Sequence, residues 1–266
     1  MNKVYACIDG LANTTAVVDW AAWSAQRLDV PLEFLHVLER DPGRDTVSDY
    51  SGAIGLGAQE AGRQLLAAAR ARAEAAGVAR LDARLRHGEL VDSVLEMQAD
   101  ARLFVLGGRD SAQQAASLFL DHHVEQVIRS VRRPVLVASA GAFLAPSSFV
   151  MAFDGSDTAR QTVTTVARSP LLSGLPVLLA MAGEDEPLGR AQLEAARTEL
   201  LQAGFTVEVA LVPGEPEQVL PALVKAQGAA LLVMGAHGHS RIRQLIVGST
   251  TTNLLRLSEV PVLILR

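Results

Sequence analysis

Cysteine is almost missing from this chain. Cys7 stands alone among 266 residues, so no internal disulfide can form, and a reducing, cytoplasmic setting is expected. No apolar N-terminal run precedes a cleavage site, which argues against export. No segment is long and apolar enough to span a bilayer, so no membrane association is expected. A surplus of positive charge is also lacking. The 24 lysines and arginines face 29 aspartates and glutamates, a formal net charge of −5. A polyanion-binding surface needs a lysine and arginine patch, so nucleic acid is not an expected partner. Aromatic residues are scarce at 4 %, yet 49 % of the chain is hydrophobic. A chain this long and this apolar can bury more than one ordinary core, and two domains are its natural organisation.

What is present is one pattern written twice. The runs "KVYACIDG" (Lys3 to Gly10) and "FVMAFDG" (Phe149 to Gly155) both read as a buried strand that stops at an Asp-Gly turn. Asp9 and Asp154, Gly10 and Gly155, and Pro31 and Pro176 are each 145 residues apart. Further along, Gly88 and Gly214 are 126 apart, Gly107 and Gly235 are 128 apart, and Pro134 and Pro261 are 127 apart. The first half carries the extra residues in "ERDPGRDTVSDYSGAIGLG", from Glu39 to Gly57, read as a long loop. Its glycines Gly52, Gly55 and Gly57 lack the preceding strand and spacing of a phosphate cradle, so a mobile loop is the expectation.

The alternation of apolar runs with helix-period segments predicts strands near Val4–Ile8, Glu33–Leu38, Ala83–Arg86, Leu103–Leu106 and Val135–Ala138. In the second half it predicts Val150–Phe153, Val177–Ala180, Thr206–Leu211, Ala230–Met234 and Val262–Leu265. The alanine-, leucine- and arginine-rich segment from Ala58 reads as a helix ending at Gly77. Strand and helix in regular alternation imply a parallel sheet covered on both faces. The stretch from Ala138 to Ser148 is the expected linker.

The most informative segment is "VMGAHGHSRIRQLIVGSTTTN", Val233 to Asn253. Gly235 closes an apolar run, so it sits at a strand end, where open α/β sheets bind ligands. "NLLRLS" reads as a helix, which places Gly248 and Ser249 at a helix N-terminus, where free N–H groups and the helix dipole favour an anion. Glycines allow a close backbone approach, and the Ser249 and Thr250 hydroxyls add donors. Taken singly, each of these residues is ordinary turn or capping chemistry. Together the spacing G-x2-G-x9-G-S favours a phosphate-binding loop. No lysine stands beside Gly248, so this is not a P-loop, and the G-x-G-x-x-G dinucleotide fingerprint is absent.

Gly235, Gly238, Gly248 and Ser249, with the strand-end aspartate, resemble the universal stress protein family, and the resemblance covers both halves. It implies an α/β fold of two tandem Rossmann-like domains of the adenine nucleotide alpha hydrolase-like kind, each a five-stranded parallel sheet flanked by helices. The expected bounds are residues 1–140 and 147–266. It further implies ATP, with Mg2+, as ligand. Asp154, with Gly155 and Ser156 adjoining, corresponds to a contact for the adenosine part, and Met181 to a backbone position beside adenine. Gly235, His237 and Gly238 correspond to the sugar and phosphate side, and Gly248, Ser249 and Thr250 to the phosphates, with Arg241 and Arg243 as candidate added charge. Association through the last strands is also implied. "PVLVAS" and "PVLILR" would then pair within one chain as a pseudo-dimer, with a homodimer and an unnamed protein partner as further expectations.

The first half departs from this pattern. Asp110 stands where Gly238 stands in the second, "FLDHH" replaces the Gly248-Ser249 region, and Leu11 replaces Ser156. A carboxylate repels a triphosphate, so one competent site per chain, in the second half, is expected. His122, His123 and Glu125 read as a solvated helix start, not a metal site, because adjacent helical residues point in different directions. His237 and His239 read as hydrogen-bond donors, and Cys7 as an inert buried thiol. The residues offer no nucleophile–base pair, paired carboxylates or metal triad. A regulatory ATP-binding protein is the leading reading, with a slow ATPase or nucleotidyl transferase, or a nucleotide-free interaction module, as the alternatives.

Overall fold

The structure is a computed structural model that describes residues 2–39, 53–108, 122–139, 141–236 and 249–266. The first half runs β1 (Lys3–Cys7), α1 (Thr14–Leu28), β2 (Leu32–Leu38), α2 (Ala53–Ala75), β3 (Leu81–His87), α3 (Leu90–Met97), β4 (Ala101–Gly107), α4 (His122–Ser130) and β5 (Val135–Ala138). The second runs β6 (Phe149–Ala152), α5 (Asp157–Arg168), β7 (Val177–Ala182), α6 (Pro187–Gln202), β8 (Val207–Val212), α7 (Pro216–Gln227), β9 (Leu232–Gly235), α8 (Ser249–Leu257) and β10 (Val262–Leu265). Each expected strand is present, with ends displaced by no more than two residues.

The strands form one ten-stranded sheet in the order β3-β2-β1-β4-β5-β10-β9-β6-β7-β8. Each half is a five-stranded parallel sheet, and β5 and β10 join the halves by antiparallel pairing. In that pairing Leu136 faces Leu263, with Val135 opposite Ile264 and Val137 opposite Val262. Leu136 and Leu263 are equivalent positions of the repeat, so a pseudo-two-fold axis passes between them. The expected covering of the last-strand edges within one chain is therefore what the backbone does, and it removes two exposed sheet edges.

Helices α1, α2, α5 and α6 cover one face and α3, α4, α7 and α8 the other. Both buried layers run without a break from one half into the other. The near-continuous apolar strands, such as "LVMG" and "VLIL", are what a sheet buried on both faces requires. Arg27 of α1 donates to the carbonyls of Leu171 and Ser173, and Arg266 donates to Ile128 O at 2.5 Å. The connecting stretch is held as well, because Phe143 packs edge-on against Trp20 with ring centroids 5.1 Å apart.

One expectation is corrected. The long first-half loop was read as continuing to Gly57, but α2 begins at Ala53, so Gly55 and Gly57 are helical. Two glycines cost a helix about 1 kcal/mol each, and the alanine- and leucine-rich turns that follow outweigh this by packing Leu66, Ala69 and Ala73 on the sheet. At the other end Gly77 has φ +89°, and Val78 N donates to Ala73 O at 3.1 Å, a left-handed stop as expected. In the first turn of α4, His123 has a partner, its ring nitrogen 3.2 Å from Glu39 Oε1.

Candidate functional site

Strand β6 lies between β9 and β7, so the chain order reverses between β6 and β9. That reversal leaves a crevice at the carboxyl ends of the strands, and ligands of such sheets bind there. Phe153 N bonds Ala180 O at 2.8 Å, which carries β6 to the end of the sheet before the chain turns at Asp154. Asp154 Oδ1 accepts Ser156 N at 3.0 Å, and Gly155 takes φ +76°, a left-handed conformation that favours glycine. Ser156 Oγ then accepts Ala159 N at 3.1 Å and caps α5. Arg160 grips this turn through the Gly155 carbonyl and Asp157.

Gly235, the last residue of β9, is glycine for a different reason. A Cβ there would lie 2.9 Å from Thr158 Cγ2 and 3.2 Å from Thr162 Oγ1, so the residue lets α5 lie close against the strand. Beyond it, Ala236 N donates to Leu265 O at 3.0 Å, and Thr251 Oγ1 donates to Ala236 O at 3.3 Å. The buried Thr251 thereby ties the first turn of α8 to the end of β9. Ser249 opens α8, and Thr250 follows it half-buried. The first N–H groups of a helix have no intrahelical acceptor, so this end of α8 presents donors and the positive end of its dipole beside the strand ends.

Met181 lies near the end of β7, and Gly189 of α6 packs on its side chain: a Cβ at Gly189 would meet Met181 Sδ at 3.3 Å. Met181 is buried. Asp154, Gly155, Ser156, Met181, Gly235, Ser249 and Thr250 thus come together around the ends of β6, β7 and β9. His237, Gly238, Arg241, Arg243 and Gly248 lie outside the described residues, as do Asp110 and the first part of "FLDHH".

The first half repeats the turn with other partners. Leu11 N donates to Asp9 Oδ1 at 2.9 Å and Gly10 has φ +80°, while Thr14 Oγ1 accepts Gly10 N at 3.1 Å. Asn13 is buried there with its Oδ1 lacking a hydrogen-bond partner among the described residues. Cys7 is buried in β1, and loss of water pushes its thiol up to about 12, with a smaller push from the charge of Asp9. That is the chemistry of an inert thiol.

The sequence model of the universal stress protein family matches the chain twice, over residues 1–139 and 148–266. The chain belongs to the universal stress protein family. Universal stress protein Slr1230 of Synechocystis is similar over its whole length, 31 % identical across 288 residues and 100 % of both chains. The crystal structure of a universal stress protein from Archaeoglobus fulgidus shares the fold, with a TM-score of 0.75 at 19 % identity over 100 % of this chain and 96 % of that one. A universal stress protein solved in complex with cAMP is 31 % identical across 46 % of this chain and 98 % of its own, with a TM-score of 0.40. No helix among the described residues of the two universal stress protein domains is long and apolar enough to cross a membrane.

Three residues beside the turn and the start of α8 were not expected from the sequence: Arg160, Thr251, and Gln192 of α6, whose amide lies against Gly155. Thr251 was hidden in a run of three threonines, whose hydroxyls only the helix register tells apart.

Proposed function

We propose that the second domain binds ATP, with Mg2+ carried by the nucleotide, and that occupancy regulates the protein's interactions. The observation that supports this most is the meeting, at the chain reversal, of the Asp154-Gly155-Ser156 turn with the N-terminus of α8, directly after the G-x2-G-x9-G-S sequence. In this reading Asp154 and the Met181 backbone hold the adenosine part. Gly235, His237 and Gly238 line the sugar and phosphate side, and Gly248, Ser249, Thr250 and Arg241 hold the phosphates. The residues suit the ligand: the N-terminus of α8 directs N–H groups and the positive end of its dipole to an anion, and Gly155 lets the turn at Asp154 form with the Gln192 amide close against it.

The first domain, with Asp110 and "FLDHH" in place of the glycine loop, serves as a nucleotide-free partner. A ligand shifts a protein only by its differential affinity for two states, so ATP acts here through the segment from Ala236 to Val247 or through the domain interface. Titration of nucleotide-free protein with Mg-ATP by calorimetry tests the reading. One site per chain, lost in Gly248→Val, is the expected result; two sites would contradict the assignment of the first domain, and none would contradict the whole.

A further inference from the structure

The two halves place the same elements over their strand ends but with different chemistry. In the first half, Gly62 and Leu65 of α2 lie over His36 and Gly10: a Cβ at Gly62 would be 2.9 Å from His36 Cδ2, and one at Gly10 would be 3.4 Å from Leu65 Cδ2. In the second half, Gly189 and Gln192 of α6 lie over Met181 and Gly155 in the same way. Both helix pairs are 127 residues apart, and His36 and Met181 are 145 apart, so these are equivalent positions. A Cβ at Gly155 would overlap the Gln192 amide, lying 2.9 Å from its Cδ. The amide of Gln192 therefore rests directly on the turn made by Asp154, where the first half has an aliphatic side chain.

Gln192 is half-buried, and among the described residues its side chain has no hydrogen-bond partner. Its counterpart Leu65 packs against the first buried layer. His36 is also engaged, its Nδ1 2.7 Å from Ile8 O. We infer that Gln192 is a specificity-determining residue of the second-domain site, reading the hydrogen-bonding edge of the base. A carboxamide offers one donor and one acceptor side by side, which matches adenine, whose amino group donates next to a ring nitrogen that accepts. Guanine presents two acceptors on the corresponding edge, so the amide oxygen would face a carbonyl. Leu65 can make neither bond, so the first half lacks this contact to a base.

This inference rests on the nucleotide reading of the site. Binding of Mg-ATP and Mg-GTP is measured by calorimetry for the wild-type chain, Gln192→Leu, which copies the first half, and Gln192→Met. Thermal melting of the free proteins verifies that both variants fold. The expected result is an ATP affinity about tenfold lower in both variants, with an ATP-over-GTP preference reduced by a similar factor. A preference unchanged within twofold in either folded variant would overturn the role of Gln192 while leaving the nucleotide site standing. A wild-type chain that binds neither nucleotide would overturn the site and this inference together.

Discussion

At Gly235 and Cys7 the environment of single residues sets measurable quantities. Gly235 has no unusual φ, so its identity comes from the closeness of α5, with Thr158 Cγ2 only 2.9 Å from where a Cβ would go. Gly235→Ala is expected to destabilise the protein by about 1–3 kcal/mol, the usual result of overpacking. Thr158→Ser removes the Cγ2 methyl, so urea unfolding of the double variant should recover part of that loss; strict additivity would show that the contact is not the cause. Cys7 makes a prediction in pH. Its folded pKa lies above the unfolded value of about 8.5, so its contribution is complete below that pH and is lost as the pH rises toward the folded pKa, about 12. Between pH values of about 7.5 and 9.5, the wild type should lose about 1.4 kcal/mol more than Cys7→Ala, by linkage. Equal losses in denaturant titrations would mean that the thiol does not govern the alkaline limb.

At the scale of elements, the clamp between β9 and α8 decides how the two ends of the glycine segment are held. Thr251→Val keeps the volume but removes the hydroxyl that bonds Ala236 O. It should cost about 1 kcal/mol in stability and weaken Mg-ATP binding severalfold, while Thr251→Ser restores both. Undiminished affinity in a destabilised Thr251→Val would show that the clamp is structural alone. The strands were legible because a sheet covered on both faces demands unbroken apolar runs, and the turns because Asp-Gly supplies a carboxylate and a positive φ. The start of α2 was not legible. Glycine at 55 and 57 signals a break locally, and only burial of the helix further along overrides it. The packing role of Gly235 was not legible for the same reason, because Thr158, 77 residues away in sequence, decides it.

Across the whole molecule, one sheet and two uninterrupted buried layers run through both halves, so the halves are expected to unfold as a single cooperative unit. The only tryptophans, Trp20 and Trp23, both lie in α1, so fluorescence reports the first half while far-UV circular dichroism reports both. The two signals should give coincident urea transitions. Mg-ATP at a hundredfold its Kd should shift the fluorescence transition by about 2.7 kcal/mol although its proposed site is in the other half; separate transitions, or a shift confined to circular dichroism, would show two independent domains. The repeat, the alternation of strand and helix, the Asp-Gly turns and the glycine segment were determined by the sequence itself, because each depends on residues close together in the chain. Tertiary structure alone decided that Leu136 meets Leu263 on a pseudo-two-fold axis, that Thr251 ties α8 to β9, and that Gln192 stands over Gly155 where Leu65 stands over Gly10. Those relations join residues from distant segments, and the register that brings them together is fixed only when the sheet is complete and both faces are buried.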